Sequence, residues 1–219
     1  MSDISAETNK NNSRLNLPNT LSLLRILLAP VFLYLFLSES GTMVFFSFVV
    51  YTVAALTDWY DGWYARKYGY KTSWGQFIDP LADKILTSFA FIGFYLLKQN
   101  NPMFLGSVEF IPIWLLVSII ILRDIILTVA RSIQELKGKE FRTSVISKTK
   151  TFIQMTFIFL VIALLAIGTL LKDSQAGYYM LKFLQSDINY YLLLVITLLT
   201  AASGFAYAFE KKQNGIQVN

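Results

Sequence analysis

Val49-Val-Tyr-Thr-Val-Ala-Ala-Leu56-Thr-Asp58-Trp-Tyr-Asp61-Gly62-Trp-Tyr-Ala65-Arg66 runs from an almost wholly apolar stretch into two carboxylates and a guanidinium without a turn signal between them. The apolar half reads as the end of a helix that crosses a bilayer, and the polar half as its continuation at the membrane boundary. Positions 58, 61, 62, 65 and 66 follow the i, i+3, i+4, i+7, i+8 spacing, so two carboxylates, two small residues and one Arg share a helical stripe. After a short polar loop comes Gly75-Gln-Phe-Ile-Asp79-Pro80-Leu-Ala-Asp83. Here Pro80 suits the first turn of the next helix and Asp79 its cap, with Asp79 and Asp83 four apart and facing the same way.

The rest of the chain agrees with a lipid environment. Of 219 residues, 55% are apolar and 15% charged, too little polar surface to cover a soluble fold of this size. The expected fold is all-α and polytopic, with about six transmembrane helices around a cytoplasm-facing polar cavity. The predicted spans are Pro18–Leu37, Met43–Tyr64, Pro80–Leu97, Ile111–Ile133, Lys148–Leu171 and Ile188–Glu210. Breaks are expected at Ser38-Glu39-Ser40-Gly41, Gln99-Asn100-Asn101-Pro102 and Lys172-Asp173-Ser174. Residues 1–13 read as a disordered polar tail rather than a signal peptide, 14–212 as one membrane domain and 213–219 as a C-terminal tail.

Loop Lys and Arg concentrate after the second and fourth spans, at Arg66, Lys67, Lys71, Lys137, Lys139 and Arg142, with Lys211 and Lys212 beyond the last. The positive-inside rule then places both termini and the acidic cluster on the cytoplasmic side of the cell (inner) membrane. This distribution accounts for the net charge of +5 without nucleic acid as a partner.

Cysteine and histidine are both absent, which removes thiolate sites, Cys nucleophiles and imidazole bases. A metal must therefore sit on oxygen, which favours hard cations such as Mg²⁺ or Mn²⁺, and a general base is expected to be a carboxylate. Asp58, Asp61, Asp79 and Asp83 gathered at a membrane boundary would repel strongly without cations. Two divalent ions roughly 3.5 to 4 Å apart would relieve this and clamp a diphosphate. Gly62 and Ala65 then let a nucleotide approach the helix backbone, and Arg66 pairs with phosphate oxygens. Taken singly, Gly62 and Ala65 also fit helix packing, and Asp79 an ordinary cap. The whole set at fixed offsets points to chemistry.

The pattern D-x2-D-G-x2-A-R-x8-G-x3-D-x3-D, carried by Asp58, Asp61, Gly62, Ala65, Arg66, Gly75, Asp79 and Asp83, resembles the signature of the CDP-alcohol phosphatidyltransferases. The resemblance implies that Asp58, Asp61 and Asp79 bind two metals, with Asp83 completing the site and acting as general base. It also implies that Asp58, Gly62, Ala65, Arg66 and Thr72 surround a CDP-diacylglycerol donor among membrane lipids, in a homodimer.

The opening Asn16-Leu-Pro18-Asn19-Thr-Leu-Ser22-Leu-Leu-Arg25 is similar to that of bacterial phosphatidylglycerophosphate synthases and cardiolipin synthases, which would lay Asn19, Ser22 and Arg25 beside the donor. A helix cap and a snorkelling Arg are the alternative. Arg123, Arg131, Lys148 and Lys150 form a candidate pocket for an acceptor phosphate, although Arg123 also fits an ion pair with Asp124 or one of the four aspartates. The segments R-D-x6-R and S-K-x-K-T-x2-Q, ending at Gln154, resemble the phosphatidylglycerophosphate synthases, apart from Ser147 where many of those have Gly. Glycerol 3-phosphate is the acceptor this favours. The rivals are a cardiolipin synthase using phosphatidylglycerol, a phosphatidylinositol phosphate synthase and, in a different class, a cation transporter.

Overall fold

The computed structural model describes the backbone of residues 17–68, 73–136 and 145–216, with side chains at 20–58, 60, 78–134 and 149–205. The described residues form α1 (Leu17–Phe36), α2 (Gly41–Tyr68), α3 (Ser73–Asn100), α4 (Ile113–Leu136), α5 (Val145–Leu170), α6 (Gln175–Leu184) and α7 (Asp187–Ile216). The polar lead at 1–13 and the basic loop residues Lys71, Lys137, Lys139 and Arg142 lie outside them.

Among the described residues five helices are long and apolar enough to span a membrane, through Gly41–Asp58, Ile78–Asn100, Ile113–Gln134, Thr149–Leu170 and Asp187–Phe205. The apolar part of α1, Thr20–Phe36, is shorter. Leu27, Phe46, Leu122, Ile126, Phe152 and Leu198 are exposed on the bundle's outside, which costs nothing where the surroundings are acyl chains. Every backbone polar group of such a span must be satisfied within the protein, and α-helices achieve that locally.

The bundle is assembled around α1, which packs on α2 and α3; α3 continues to α4, α2 rests on α5, and α7 closes against α4 and α5. A chain of aromatic rings holds the centre together: Phe32 meets Phe36 at 5.4 Å and Tyr51 at 5.3 Å, Phe36 meets Phe94 at 5.9 Å, and Phe94 meets Phe157 at 6.2 Å. Gly93 makes this possible, since a Cβ there would lie 3.0 Å from the Phe36 ring.

Two expectations need correcting. α3 begins at Ser73, so Pro80 is inside the helix and Asp79 is not its cap. The turn from Ser73 supplies the start, and the proline's missing N–H is tolerated as it is in many membrane helices. The second correction is α6, a ten-residue helix between the last two spans where only a loop was expected. Ser174 caps it by accepting from the Gly177 N–H at 3.1 Å. Its exposed Tyr178, Tyr179 and Phe183 and buried Gly177 and Leu184 give it one outward aromatic side. At ten residues it is too short to cross a bilayer.

Gly177 is where α6 seats on the end of α5, because a Cβ there would stand 2.1 Å from the Leu171 carbonyl oxygen. Backbone cannot yield as a flexible side chain would, so Gly177→Ala is expected to cost about 1–3 kcal/mol. A lower unfolding midpoint in detergent is the readout.

The end of the bundle that carries α6 is closed. Lys98 donates to the carbonyls of Pro102 at 2.6 Å and Gly106 at 2.5 Å, and Asp187 accepts from the N–H groups of Ser107 at 2.7 Å and Val108 at 3.1 Å. Gly106 sits at φ +92°, where glycine is favoured, and a Cβ there would also lie 2.7 Å from Asp187. The Tyr190 hydroxyl accepts from the Ile111 N–H at 2.8 Å and donates to its carbonyl at 3.0 Å. With this end sealed, the functional groups collect at the other.

Candidate active site

α1 brings a polar pair to the acidic end of the bundle. Ser22 and Arg25, three residues apart on one helical face, are both fully buried. Ser22 Oγ donates to Asp79 Oδ1 at 2.5 Å, and Arg25 Nη1 donates to Asp58 Oδ1 at 2.6 Å. α1 therefore ties together the carboxylates of α2 and α3. A buried guanidinium in a membrane protein needs a charged partner, and Asp58 is one for Arg25.

Asp83 stands one turn beyond Asp79 on α3, within repelling reach of Asp58, and its carboxylate is 3.4 Å from Lys84 Nζ. Asp58 is 41% exposed and Asp83 19%, so both stay reachable by polar species while anchored to a rigid wall. These groups offer only carboxylate oxygen, a donor set that suits hard divalent cations. Among the described residues, no three acidic side chains sit close enough together to form a complete metal-holding group. The fourth aspartate, Asp61, has its side chain outside the described set.

The α2 backbone is helical through Tyr68, so positions 58, 61, 62, 65 and 66 do share a helical stripe. The side chains of Asn19, Asp61, Ala65, Arg66 and Lys148, and the surroundings of Gly62, lie outside the described set, as does Thr72 altogether.

A second polar cluster sits where α4, α5 and α7 meet. Its hub is Asp124, 3% exposed, which accepts from Lys150 Nζ at 2.6 and 2.8 Å, from Arg123 Nη1 at 2.9 Å and from Gln154 Nε2 at 3.2 Å. Arg123 Nη2 donates to Ser203 Oγ on α7 at 2.5 Å. Gly204 leaves room for this, since a Cβ there would lie 3.3 Å from Arg123 Cγ. Two cations assigned to an acceptor phosphate, Arg123 and Lys150, are thus gathered by one carboxylate, and Arg131 is partly buried two turns along α4.

The two clusters adjoin, because Lys84 lies within electrostatic reach of Asp58 on one side and of Asp124 and Lys150 on the other. Sequence reasoning assigned no role to Lys84, Gln154 or Ser203. Gln154 carried the one usable signal, its i+4 spacing from Lys150.

Similarity to known proteins follows the same residues. Residues 15–202 match the family model described as CDP-alcohol phosphatidyltransferase, a stretch that holds both clusters apart from Ser203. A Wigglesworthia glossinidia brevipalpis protein named CDP-diacylglycerol--glycerol-3-phosphate 3-phosphatidyltransferase is 37% identical over 67% of this chain and 76% of its own length. Proteins of the same name from Rickettsia bellii and Bacillus subtilis are 31% and 29% identical, over 88% and 93% of this chain and 93% and 98% of their own. With an acidic signature helix, an oxygen-only donor set and a family match spanning nearly the whole bundle, this chain belongs to the CDP-alcohol phosphatidyltransferases.

Proposed function

We propose that this chain transfers the phosphatidyl group of CDP-diacylglycerol to glycerol 3-phosphate, giving phosphatidylglycerophosphate and CMP in phospholipid biosynthesis. The observation that carries the reading is the adjoining pair of clusters: carboxylates with Arg25 and Ser22 on one side, Arg123 and Lys150 around Asp124 on the other. One suits a nucleotide diphosphate and the other a second phosphate. The relatives' names specify the same two substrates.

Asp58, Asp61, Asp79 and Asp83 are the residues that would hold two divalent ions, Mg²⁺ or Mn²⁺. Bound there, the ions supply charge neutralisation for the diphosphate and its leaving group. Asn19, Gly62, Ala65, Arg66 and Thr72 are assigned to the donor by family resemblance, and the acyl chains reach the lipid between helices.

Asp83 takes the proton from the acceptor's primary hydroxyl. That oxygen forms a bond to the phosphorus bearing diacylglycerol, the bond from this phosphorus to the bridging oxygen breaks, and CMP departs with the electron pair. Arg25 holds Asp58 in place throughout, and Lys148 and Arg131 join Arg123 and Lys150 at the acceptor phosphate. The basic loops favour a cytoplasmic site in the cell membrane, and a homodimer is the assembly the family suggests.

The test is CMP release by the purified protein in detergent, comparing glycerol 3-phosphate, phosphatidylglycerol and inositol phosphate as acceptors. Release with glycerol 3-phosphate, abolished by chelation and restored by Mg²⁺ or Mn²⁺, is the expected result. Release only with phosphatidylglycerol would reassign the acceptor while leaving the aspartate chemistry intact.

A further inference from the structure

Gln154 is 2% exposed, and its two polar atoms have unequal fates. Nε2 donates to Asp124 Oδ2 at 3.2 Å, whereas Oε1 is buried without a hydrogen-bond partner. The amide cannot be turned around to cure this, because the reversed orientation would face its oxygen against a carboxylate oxygen. A buried carbonyl left without a donor is costly and rare, and a native protein that keeps one commonly supplies the donor from outside. The missing group must be a hydrogen-bond donor, and it must reach the neighbourhood of a carboxylate whose two oxygens Lys150 bonds and whose Oδ1 Arg123 bonds.

We propose that Gln154 Oε1 accepts a hydrogen bond from the secondary hydroxyl of the acceptor, making Gln154 a specificity-determining residue. This rests on glycerol 3-phosphate being the acceptor. In that molecule the phosphate and the reacting primary hydroxyl flank a secondary hydroxyl on the middle carbon. With the phosphate at the Arg123–Lys150 cluster and the primary hydroxyl at Asp83, the middle hydroxyl is the donor beside the phosphate end, where Gln154 stands. Asp124 then has two linked tasks: it gathers the two cations, and it fixes the Gln154 amide with its oxygen turned to the ligand. A site built around a polar partner discriminates strongly against an analogue lacking it, because the site's own group is left unpaired.

The discriminating substrate is 3-hydroxypropyl phosphate, which keeps the phosphate and the primary hydroxyl but lacks the middle one. CMP release by the full-length protein in detergent is measured with each acceptor at fixed Mg²⁺ and saturating CDP-diacylglycerol. The wild type is expected to favour glycerol 3-phosphate by about tenfold in kcat/KM. Gln154→Met, apolar and similar in size, should bring the two acceptors within about twofold of each other and leave the KM for CDP-diacylglycerol unchanged. Gln154→Asn, whose carbonyl is withdrawn by one methylene, should fall between.

Equal use of both acceptors by the wild type would overturn the inference even if neither variant accumulates in the membrane. So would full discrimination persisting in Gln154→Met, which would place it in the alcohol's own reactivity. Activity with glycerol 3-phosphate but no discrimination sinks this inference alone. No activity with glycerol 3-phosphate, against activity with another acceptor, sinks the acceptor reading and this inference with it.

Discussion

Asp83→Asn is expected to lower kcat for CMP release by about a thousandfold, within the range that a positioned general base contributes, while leaving the fold intact. The substitution keeps the shape of the side chain and removes both its negative charge and its ability to take a proton. Little of the architecture depends on that charge. The Asp83 carboxylate has a 3.4 Å contact with Lys84 and stays partly exposed, and the Thr87 hydroxyl bonds the Asp83 backbone carbonyl, which Asn retains. Asp83 also repels Asp58, so neutralising it relieves a strain of like charges. The unfolding midpoint of Asp83→Asn in detergent should therefore match or exceed that of the wild type as activity vanishes. This is the signature of a carboxylate retained for chemistry at the expense of stability. Near-normal turnover at neutral pH would move the base elsewhere, and a large drop in midpoint would make Asp83 a structural residue.

The parts of this molecule that were readable from sequence are those set by local rules or by the membrane. A bilayer demands long apolar runs, so the five long spans are visible in composition, and helical periodicity alone puts Asp58 and Asp61 on one stripe. Pro80 misled because proline is favoured at the first position of a helix, whereas here about two turns starting at Ser73 precede it. α6 escaped notice because ten residues with mixed polarity resemble a loop when they follow a strong break.

Long-range pairing was the least accessible level. Ser22 and Arg25 fitted a cap and a snorkelling cation as well as a site, and only the crossing of α1 over α2 and α3 sets them on Asp79 and Asp58. Likewise Arg123 was legible as a costly cation able to pair with Asp124, which it does at 2.9 Å, and Lys150 as a basic residue at the start of a span. Their gathering on one carboxylate was not legible, because Lys150 reaches Asp124 from another helix and Ser203 meets Arg123 from a third.

Asp124→Ala is expected to destabilise the protein by about 3–5 kcal/mol, the cost typical of removing one partner from a buried ion pair. The reason lies in what remains. Lys150 is 2% exposed and Arg123 14%, so neither can swing out to water when the carboxylate is gone, and Gln154 Nε2 loses its acceptor as well. α4, α5 and α7 would then meet over two uncompensated cations, and the unfolding midpoint in detergent should fall accordingly. Asp124→Ala combined with Lys150→Met separates the causes, because it removes one stranded charge and replaces it with apolar volume. If the buried charges dominate, the double variant should recover more than half of the lost stability, and the coupling between the two sites will be large in a double-mutant cycle. Activity should not return with it, since Lys150 is one of the cations assigned to the acceptor phosphate. Recovery of both together would mean that Lys150 serves only to balance Asp124, and the acceptor phosphate would then have to be held by Arg123, Arg131 and Lys148.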